Sequence, residues 1–301
     1  MEAIKDKERI LKEIQKYKKI AVIGLAKNVG KTTVVNYLAG NLSNVCILTI
    51  GRDGEERDAL YGTQKPSVNL KRGNFAVIPY EFARGNLEII ETFDLVAGKF
   101  ALVMATIDAQ IQIARIGGFD LTNDIADYLL EFCDRIIIDG AFGRTGIAPY
   151  MDANIIVCGA ASGDLKSNIK KIKKLMAKRI DPEIEERILP YKDSIVLIGK
   201  NNRILDPNLV EEAVKESHDA DFVYIPRVID DFTFSRIKSL LVVPSSDFVL
   251  GNGEFFVLKE IKIAGIAVNS VSSRDENPLE LIDGLKSVFN DIIVFDVLYD
   301  P

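Results

Sequence analysis

The sequence predicts an α/β protein built on a parallel sheet, with a second, smaller α/β domain in its carboxyl-terminal part. Three observations predict this class. Ile20 to Gly24 is an apolar run of strand length, and a helical pattern begins shortly after it at Lys31. Another apolar run ends at Asp139, and strand-like and helix-like segments alternate beyond residue 190. Apolar strands separated by helices are typical of a sheet that is covered on both faces.

The first strand and its helix are joined by a glycine loop within IAVIGLAKNVGKTT, residues 20–33. Glycine lets backbone N–H groups turn inward around a phosphate chain, and a helix N-terminus adds partial positive charge. Lys31 can reach the β- and γ-phosphates, and the Thr32 hydroxyl can hold Mg²⁺. We therefore predict a P-loop for a nucleoside triphosphate. Its predicted binding residues are Asn28, Val29, Gly30, Lys31, Thr32 and Thr33.

The loop departs from the common P-loop pattern at its beginning. Gly24 and Gly30 are separated by five residues, whereas the common pattern has four. Leu25 stands at the position of the usual first glycine, so the loop should start with a different geometry. Lys27 is a candidate for the early lysine of a related group of P-loops, one position later than in that group. The alternative is a chance Gly-Lys-Thr before a helix.

Acidic residues follow the second predicted strand, Val45 to Gly51. The ligands of parallel sheets lie beyond the carboxyl ends of the strands. Asp53 is therefore our first candidate for an acid that binds Mg²⁺ or orients water, and Glu56 is the second. A solvated acidic turn is the alternative interpretation.

A third apolar run, residues 135–139, ends in Asp139-Gly140. A buried strand that presents one carboxylate in this way is the usual form of the second nucleotide motif, in which the acid binds Mg²⁺ directly or through water. Arg144 follows in a glycine-flanked loop and could contact the γ-phosphate or a partner. An exposed loop charge explains Arg144 equally well. The predicted catalytic residues are Lys31, Asp53 and Arg144, and the predicted metal-site residues are Thr32, Asp53, Glu56 and Asp139.

Residues 66–117 have a different pattern and are interpreted as a β-rich insertion that shapes a substrate or partner site. Strands are predicted at 74–80, 99–106 and 110–116, with a helix at 81–91. A domain boundary is placed near residue 190. The predicted domains are a nucleotide-binding domain, 1–190, and a smaller α/β domain, 191–301.

Composition limits the partners and the compartment. The net charge of −6 argues against nucleic acid or an anionic membrane as the main partner. The apolar runs are too short to span a bilayer, and the N-terminus lacks the apolar core of a signal peptide. The three cysteines form no Cys-x-x-Cys pair and are expected to be reduced core residues of a cytoplasmic protein. The sequence leaves open whether the protein forms a homo-oligomer.

The chain resembles the P-loop subunit of the reactivating factor for lysine 5,6-aminomutase, a cobalamin-dependent enzyme. The resemblance rests on GLAKNVGKTT, TIGRDGEERDALYGTQKP, IIIDGAFGR and VFDV, which occur in this order along most of the chain. It implies a chaperone-like ATPase that acts with a second ATPase subunit on the aminomutase. It also implies that Lys31 and Thr32 contact ATP and that Asp53 and Asp139 lie near Mg²⁺.

Two other functions fit the same residues. One is a small-molecule ATP-dependent ligase or kinase that resembles dethiobiotin synthetase, with its acceptor in the 66–117 region. The other is a nucleotide-gated binding protein with little turnover. Acidic groups beyond a P-loop serve phosphoryl transfer and regulated hydrolysis equally well, so the residues alone allow all three.

Overall fold

The computed structural model describes residues 2–50, 67–140, 145–251, 253–269 and 278–296. Its α-helices are α1 (Glu2–Ile14), α2 (Lys31–Asn41), α3 (Phe119–Leu129), α4 (Leu165–Leu175), α5 (Pro182–Ile188), α6 (Val210–Glu216), α7 (Asp231–Arg236) and α8 (Pro278–Val288). Its strands are β1 (Lys19–Gly24), β2 (Val45–Thr49), β3 (Val68–Leu70), β4 (Phe75–Pro79), β5 (Leu87–Leu95), β6 (Gly98–Ala105), β7 (Ala109–Ile111), β8 (Arg135–Asp139), β9 (Ala153–Gly159), β10 (Ile195–Gly199), β11 (Arg203–Leu205), β12 (Ala220–Tyr224), β13 (Leu240–Val243), β14 (Phe256–Val257), β15 (Ile263–Asn269) and β16 (Ile293–Asp296).

A nine-stranded, mostly parallel sheet organises the first of two compact units. Its strand order is β16-β15-β9-β1-β8-β2-β4-β6-β5. Neighbouring strands are parallel from β16 to β4, and β6 is antiparallel to both β4 and β5. The central strands are buried on both faces, which explains why their sequences are continuously apolar. The predicted α/β class is confirmed at this level.

Helix α2 begins directly after the loop that follows β1. Its buried face consists of Val34, Val35, Leu38 and Ala39, which belong to the apolar core of this unit. Gly40 lies near the end of the helix, and a Cβ added there would have no neighbouring atom within 4 Å.

Replacing Gly40 with alanine is expected to stabilise the protein by about 0.4–1 kcal/mol, because alanine restricts the unfolded chain and fits the helix without a clash. Urea unfolding monitored by circular dichroism measures this change. A lower midpoint than that of the native protein would contradict the open space seen beside Gly40.

The region predicted as 66–117 is described from residue 67 onward, and most of its strand residues belong to the central sheet. Strands β4, β6 and β5 extend that sheet beyond β2, and only β3 and β7 form a separate two-stranded sheet. The strand predicted for 110–116 is shorter than expected, since β7 ends at Ile111. The interpretation of 66–117 as one separate insertion is therefore too broad.

The helix predicted for 81–91 is wrong. Only Tyr80–Phe82 forms a short 3₁₀ turn, and β5 begins at Leu87. Strand β5 pairs with β6 along its length, with an irregularity between Ile89 and Glu91. This irregularity interrupts the two-residue alternation that would have indicated a strand in the sequence. Backbone pairing with β6 outweighs the helical preference of the Leu and Glu residues.

The predicted domain boundaries are also wrong. The first unit comprises residues 1–169 and 262–301, and the second unit comprises residues 170–261. After the second unit, the chain returns to the central sheet because β15 pairs in parallel with β9. The alternation of strands and helices is the same on both sides of this return, so the sequence pattern alone did not reveal it.

The second unit contains a mixed five-stranded sheet with the order β11-β10-β12-β13-β14. Strand β10 is antiparallel to both of its neighbours, and the remaining pairs are parallel. One face of this sheet packs into an apolar cluster that includes Ile195, Val223 and Leu241. The other face packs into a cluster that includes Ile188 and Tyr224.

Within the described ranges, no helix combines the length and the apolar character needed to cross a membrane. The three cysteines, Cys46, Cys133 and Cys158, are free and buried, as the sequence predicts.

Candidate functional site

The candidate site lies at the carboxyl end of β1, in the middle of the nine-stranded sheet. Strand β1 is flanked by β8 on one side and β9 on the other, both parallel to it. The next strand of this sheet along the chain, β2, lies beyond β8 on one side of β1, whereas β9 lies on the other side of β1. The strand order therefore reverses at β1. In open parallel sheets this reversal creates a crevice beyond the carboxyl ends of the strands.

The loop between β1 and α2, residues 25–30, is anchored at two positions. The backbone N–H of Leu25 donates to the carbonyl of Val157 at 2.9 Å, which continues the pairing of β1 with β9 by one residue. Val29 is 1% exposed and packs in the core, whereas Lys27 and Asn28 are exposed. The extra residue between Gly24 and Gly30 is thus explained by Leu25, which extends the strand before the loop turns.

The loop turns into α2 through Gly30. Its φ of 96° lies in the left-handed region, where glycine is favoured over other residues. Asn28 also has a positive φ of 58°. Among the described residues, no side chain caps the N-terminus of α2 at Gly30. The first-turn N–H groups and the positive end of the helix dipole therefore favour an anion at this position.

The side chain of Lys31 folds back against the start of the loop. A Cβ added to Gly24 would lie 2.8 Å from both Cγ and Cδ of Lys31 and from Cγ1 of Val29. Only a glycine at position 24 leaves room for the aliphatic part of Lys31. The lysine is therefore held close to the loop that it is predicted to serve.

Asp139 lies opposite the first turn of α2. The hydroxyl of Thr32 is 3.4 Å from Oδ2 of Asp139, within hydrogen-bonding distance. The backbone carbonyl of Asp139 accepts hydrogen bonds from the Thr49 hydroxyl at 3.1 Å and from the N–H of Ile50 at 3.2 Å. Because β2 holds Asp139 through these two bonds, its position beside Thr32 is set by the sheet.

Gly140 permits a close approach between β8 and β1. Its N–H donates to the Val22 carbonyl at 2.9 Å. A Cβ on Gly140 would lie 2.7 Å from the same carbonyl oxygen, a distance that real Cβ atoms do not show. The Asp-Gly pair of the sequence therefore has two separate causes: the carboxylate faces α2, and the glycine lets the strand end pack closely.

Asn269 is a site residue that the sequence reasoning missed. It ends β15, and its Nδ2 lies 3.0 Å from the position of a Cβ on Gly30. The prediction had placed this strand in the second domain, away from the loop. An apolar strand that ends in a polar residue is the only signal that pointed to it, and that signal gives no partner strand.

A hydrogen-bonded turn follows β9 on the same edge of the sheet. The Ser162 hydroxyl accepts from the N–H of Gly159 at 2.9 Å and contacts Oδ1 of Asn168 at 2.6 Å. The Asn168 amide donates to the Gly163 carbonyl at 2.7 Å. Ser162 and Asn168 are buried, so these bonds fix the shape of the turn beside the candidate site. The sequence reasoning did not single out either residue.

The predicted site residues differ in how far the structure describes them. Lys31, Thr32 and Asp139 come together, with Asn28, Val29, Gly30 and Thr33 in the same loop and first helical turn. Asp53, Glu56 and Arg144 lie outside the described residues, so their roles stay predictions. Among the described residues, no three His, Cys, Asp or Glu side chains form a cluster suited to a metal.

Comparisons of this chain with protein-family models, curated proteins and solved structures found no match. The residues at the end of β1 and their geometry are therefore the basis of the proposed function.

Proposed function

We propose that the protein binds Mg²⁺ and a nucleoside triphosphate, taken to be ATP, at the loop between β1 and α2. It hydrolyses the bond between the β- and γ-phosphates. The observation that carries this proposal is the pairing of the Thr32 hydroxyl with the Asp139 carboxylate at 3.4 Å beside a left-handed Gly30. The hydroxyl, the carboxylate, the uncapped helix end and the adjacent Lys31 together support binding of Mg²⁺ and phosphate here.

Two oxygens in this arrangement fit a magnesium ion. Mg²⁺ prefers oxygen ligands in an octahedron with bonds of about 2.0–2.1 Å, so adjacent ligands are about 3 Å apart. The 3.4 Å between the Thr32 and Asp139 oxygens is close to that separation. Thr32 and Asp139 would hold the ion, which would neutralise charge on the β- and γ-phosphates.

The chain's own groups would do three things. The N–H groups at the start of α2 would bind phosphate oxygens, and Lys31 would supply a positive charge to the terminal phosphates. The anchors at Leu25 and Val29 would keep the loop in shape before the nucleotide arrives. Such preorganised positive groups are the main source of catalysis in phosphoryl transfer.

The finer proposal is a chaperone-like ATPase that reactivates a cobalamin-dependent aminomutase with a second ATPase subunit. It is supported by the sequence resemblance alone. Under this proposal the isolated chain has slow turnover, because partner engagement completes the catalytic arrangement. A ligase or kinase would instead need a small-molecule acceptor for rapid phosphate release.

The proposal is tested by the magnesium dependence of ATP binding. We expect Asp139→Asn to weaken binding about tenfold with Mg²⁺, equivalent to about 1.4 kcal/mol, and to change it little in the presence of EDTA. Isothermal titration calorimetry measures both affinities, and phosphate release measures turnover.

Asp134→Asn is the matched control, since Asp134 is an exposed acid next to the start of the same strand. It should bind Mg²⁺ and ATP like the native protein. Equal ATP affinity of native protein and Asp139→Asn in both conditions would contradict the proposed metal site.

A further inference from the structure

A cavity of about 480 Å³ lies at the outer part of the first unit, away from the loop between β1 and α2. One wall is formed by residues 82–87, which lead into β5, and the other by residues 108–112, which include β7. Ile78 of β4 also lines the cavity. Its volume is in the range of about 300–1,000 Å³ that is typical of ligand sites.

Hydrogen bonds connect the first wall to the segment that precedes the second wall. The backbone N–H and the hydroxyl of Thr106 both donate to the Asn86 carbonyl at 2.9 Å. Both segments line the cavity, and we call this space the cleft. Gly85 adopts a φ of 72°, and a Cβ there would meet no atom within 4 Å, so the wall beside it is open.

The wall formed by β7 has backbone groups that point away from its partner strand. Strand β3 pairs with β7, and Asn69 lies opposite Gln110. The N–H of Asn69 donates to Oδ1 of Asn36 in α2 at 2.9 Å, on the side away from β7. Asn69 and Gln110 are therefore a non-hydrogen-bonded pair, and the N–H and C=O of Gln110 point away from β3. Within the described part of the chain, neither group is hydrogen-bonded.

The side chains around the cleft combine apolar surface with a few polar groups. Phe82 and Leu87 provide accessible apolar surface, whereas Ile78 and Ile111 are buried. Arg84 is exposed, and its guanidinium makes no hydrogen bond or ion pair with another described residue. Asp108 is already engaged, because its Oδ1 accepts the N–H of Arg72 at 2.9 Å. Asp108 keeps its negative charge, and the guanidinium of Arg84 can still bind an acidic ligand group.

We propose that this cleft binds an extended peptide segment, which adds a third strand to the β3–β7 sheet beside Gln110. The wall from Asp108 to Gln112 is about 13 Å long at a strand rise of about 3.3 Å, so it accommodates about four residues of the ligand. Backbone pairing with Gln110 supplies affinity, an apolar side chain contacts Phe82 and Leu87, and an acidic side chain meets Arg84. This site is separate from the proposed nucleotide site and adds a second binding activity to it.

Peptide binding to the full-length chain tests the proposal. The probe is acetyl-Thr-Val-Glu-Val-Thr-amide, and its controls are the same peptide with N-methylated backbone amides and a version with Lys in place of Glu. We expect saturation with the probe to slow hydrogen exchange of the Gln110 amide by at least about tenfold, measured by NMR. The N-methylated and Lys peptides should bind at least about tenfold more weakly, which corresponds to about 1.4 kcal/mol.

Two variants and one control variant connect the binding to the cleft. Gln110→Pro removes one outward N–H, which is tolerated at a strand edge, and should weaken probe binding about tenfold. Gln110→Ala keeps the backbone N–H and should bind the probe like the native protein. Arg84→Glu should reverse the preference between the Glu and Lys peptides. Circular dichroism and ATP affinity establish that each variant is folded and that the nucleotide site is unaffected.

The proposal would be overturned if millimolar probe left the Gln110 amide unchanged, or if the N-methylated peptide bound equally well. Binding of free glutamate with the affinity of the probe would also overturn it, because a free amino acid cannot form a strand. These results would leave the proposed nucleotide function untouched, since ATP binding is measured separately in the same samples.

Discussion

Replacing Lys31 with alanine is expected to weaken ATP binding by about 10- to 150-fold without unfolding the protein. A charge-assisted contact to phosphate contributes about 1.5–3 kcal/mol, and the lysine is held against Gly24 at the start of the loop. Calorimetric titration with ATP and Mg²⁺ measures the affinity, and thermal unfolding checks that the variant is folded. Hydrolysis should fall at least as far as binding.

Lys31→Met separates the charge of the lysine from its packing. Methionine keeps an unbranched apolar stem beside Gly24 but has no ammonium group. If the positive charge of Lys31 is what binds the phosphates, Lys31→Met should weaken ATP binding as much as Lys31→Ala does. Lys71→Ala removes an exposed lysine between β3 and β4 and serves as the control for net charge. Native-like affinity in both Lys31 variants would remove the loop from the proposed function.

Gly140→Ala is expected to destabilise the protein by about 1–3 kcal/mol. The added Cβ would clash with a backbone carbonyl oxygen, which cannot move aside as a flexible side chain could. The 2.7 Å approach to the Val22 carbonyl requires β1 and β8 to move apart. Such a movement also displaces Asp139 from Thr32, so ATP affinity in the presence of Mg²⁺ should fall in the folded variant. Urea unfolding and calorimetry measure the two effects.

Gly40→Ala provides the opposite case within the same unit. Both variants add one methyl group to a glycine, but Gly40 has open space and Gly140 has a carbonyl oxygen in the way. The free energy of unfolding should therefore rise in one variant and fall in the other. Stability of Gly140→Ala equal to that of the native protein would show that β1 and β8 separate at little cost.

The part of the candidate site that could be predicted from sequence is local. The strand, loop and helix from Lys19 to Asn41 follow one another in the chain, so their order is predicted by the local sequence pattern. The position of Asp139 could also be inferred, since an apolar strand in a parallel sheet delivers its last residue to the same edge.

The rest depends on contacts between distant segments. Strand β15 joins the sheet because its buried apolar residues fit beside β9, and no local pattern specifies that neighbour. Asn269 was consequently placed in the wrong domain. Strand β5 shows the same difficulty on a smaller scale, because only its pairing with β6 decides against a helix. Strand partners are set by tertiary packing, which a single sequence does not display.

The return of the chain from residues 170–261 to the central sheet has a consequence for synthesis on the ribosome. Asn269, which lies beside Gly30, is 239 positions further along the chain. At about 5–20 residues per second, its synthesis follows that of Gly30 by about 12–48 s. Residues 170–261 form a compact unit and are synthesised within that interval. The surroundings of Gly30 therefore lack β15 throughout the synthesis of that unit.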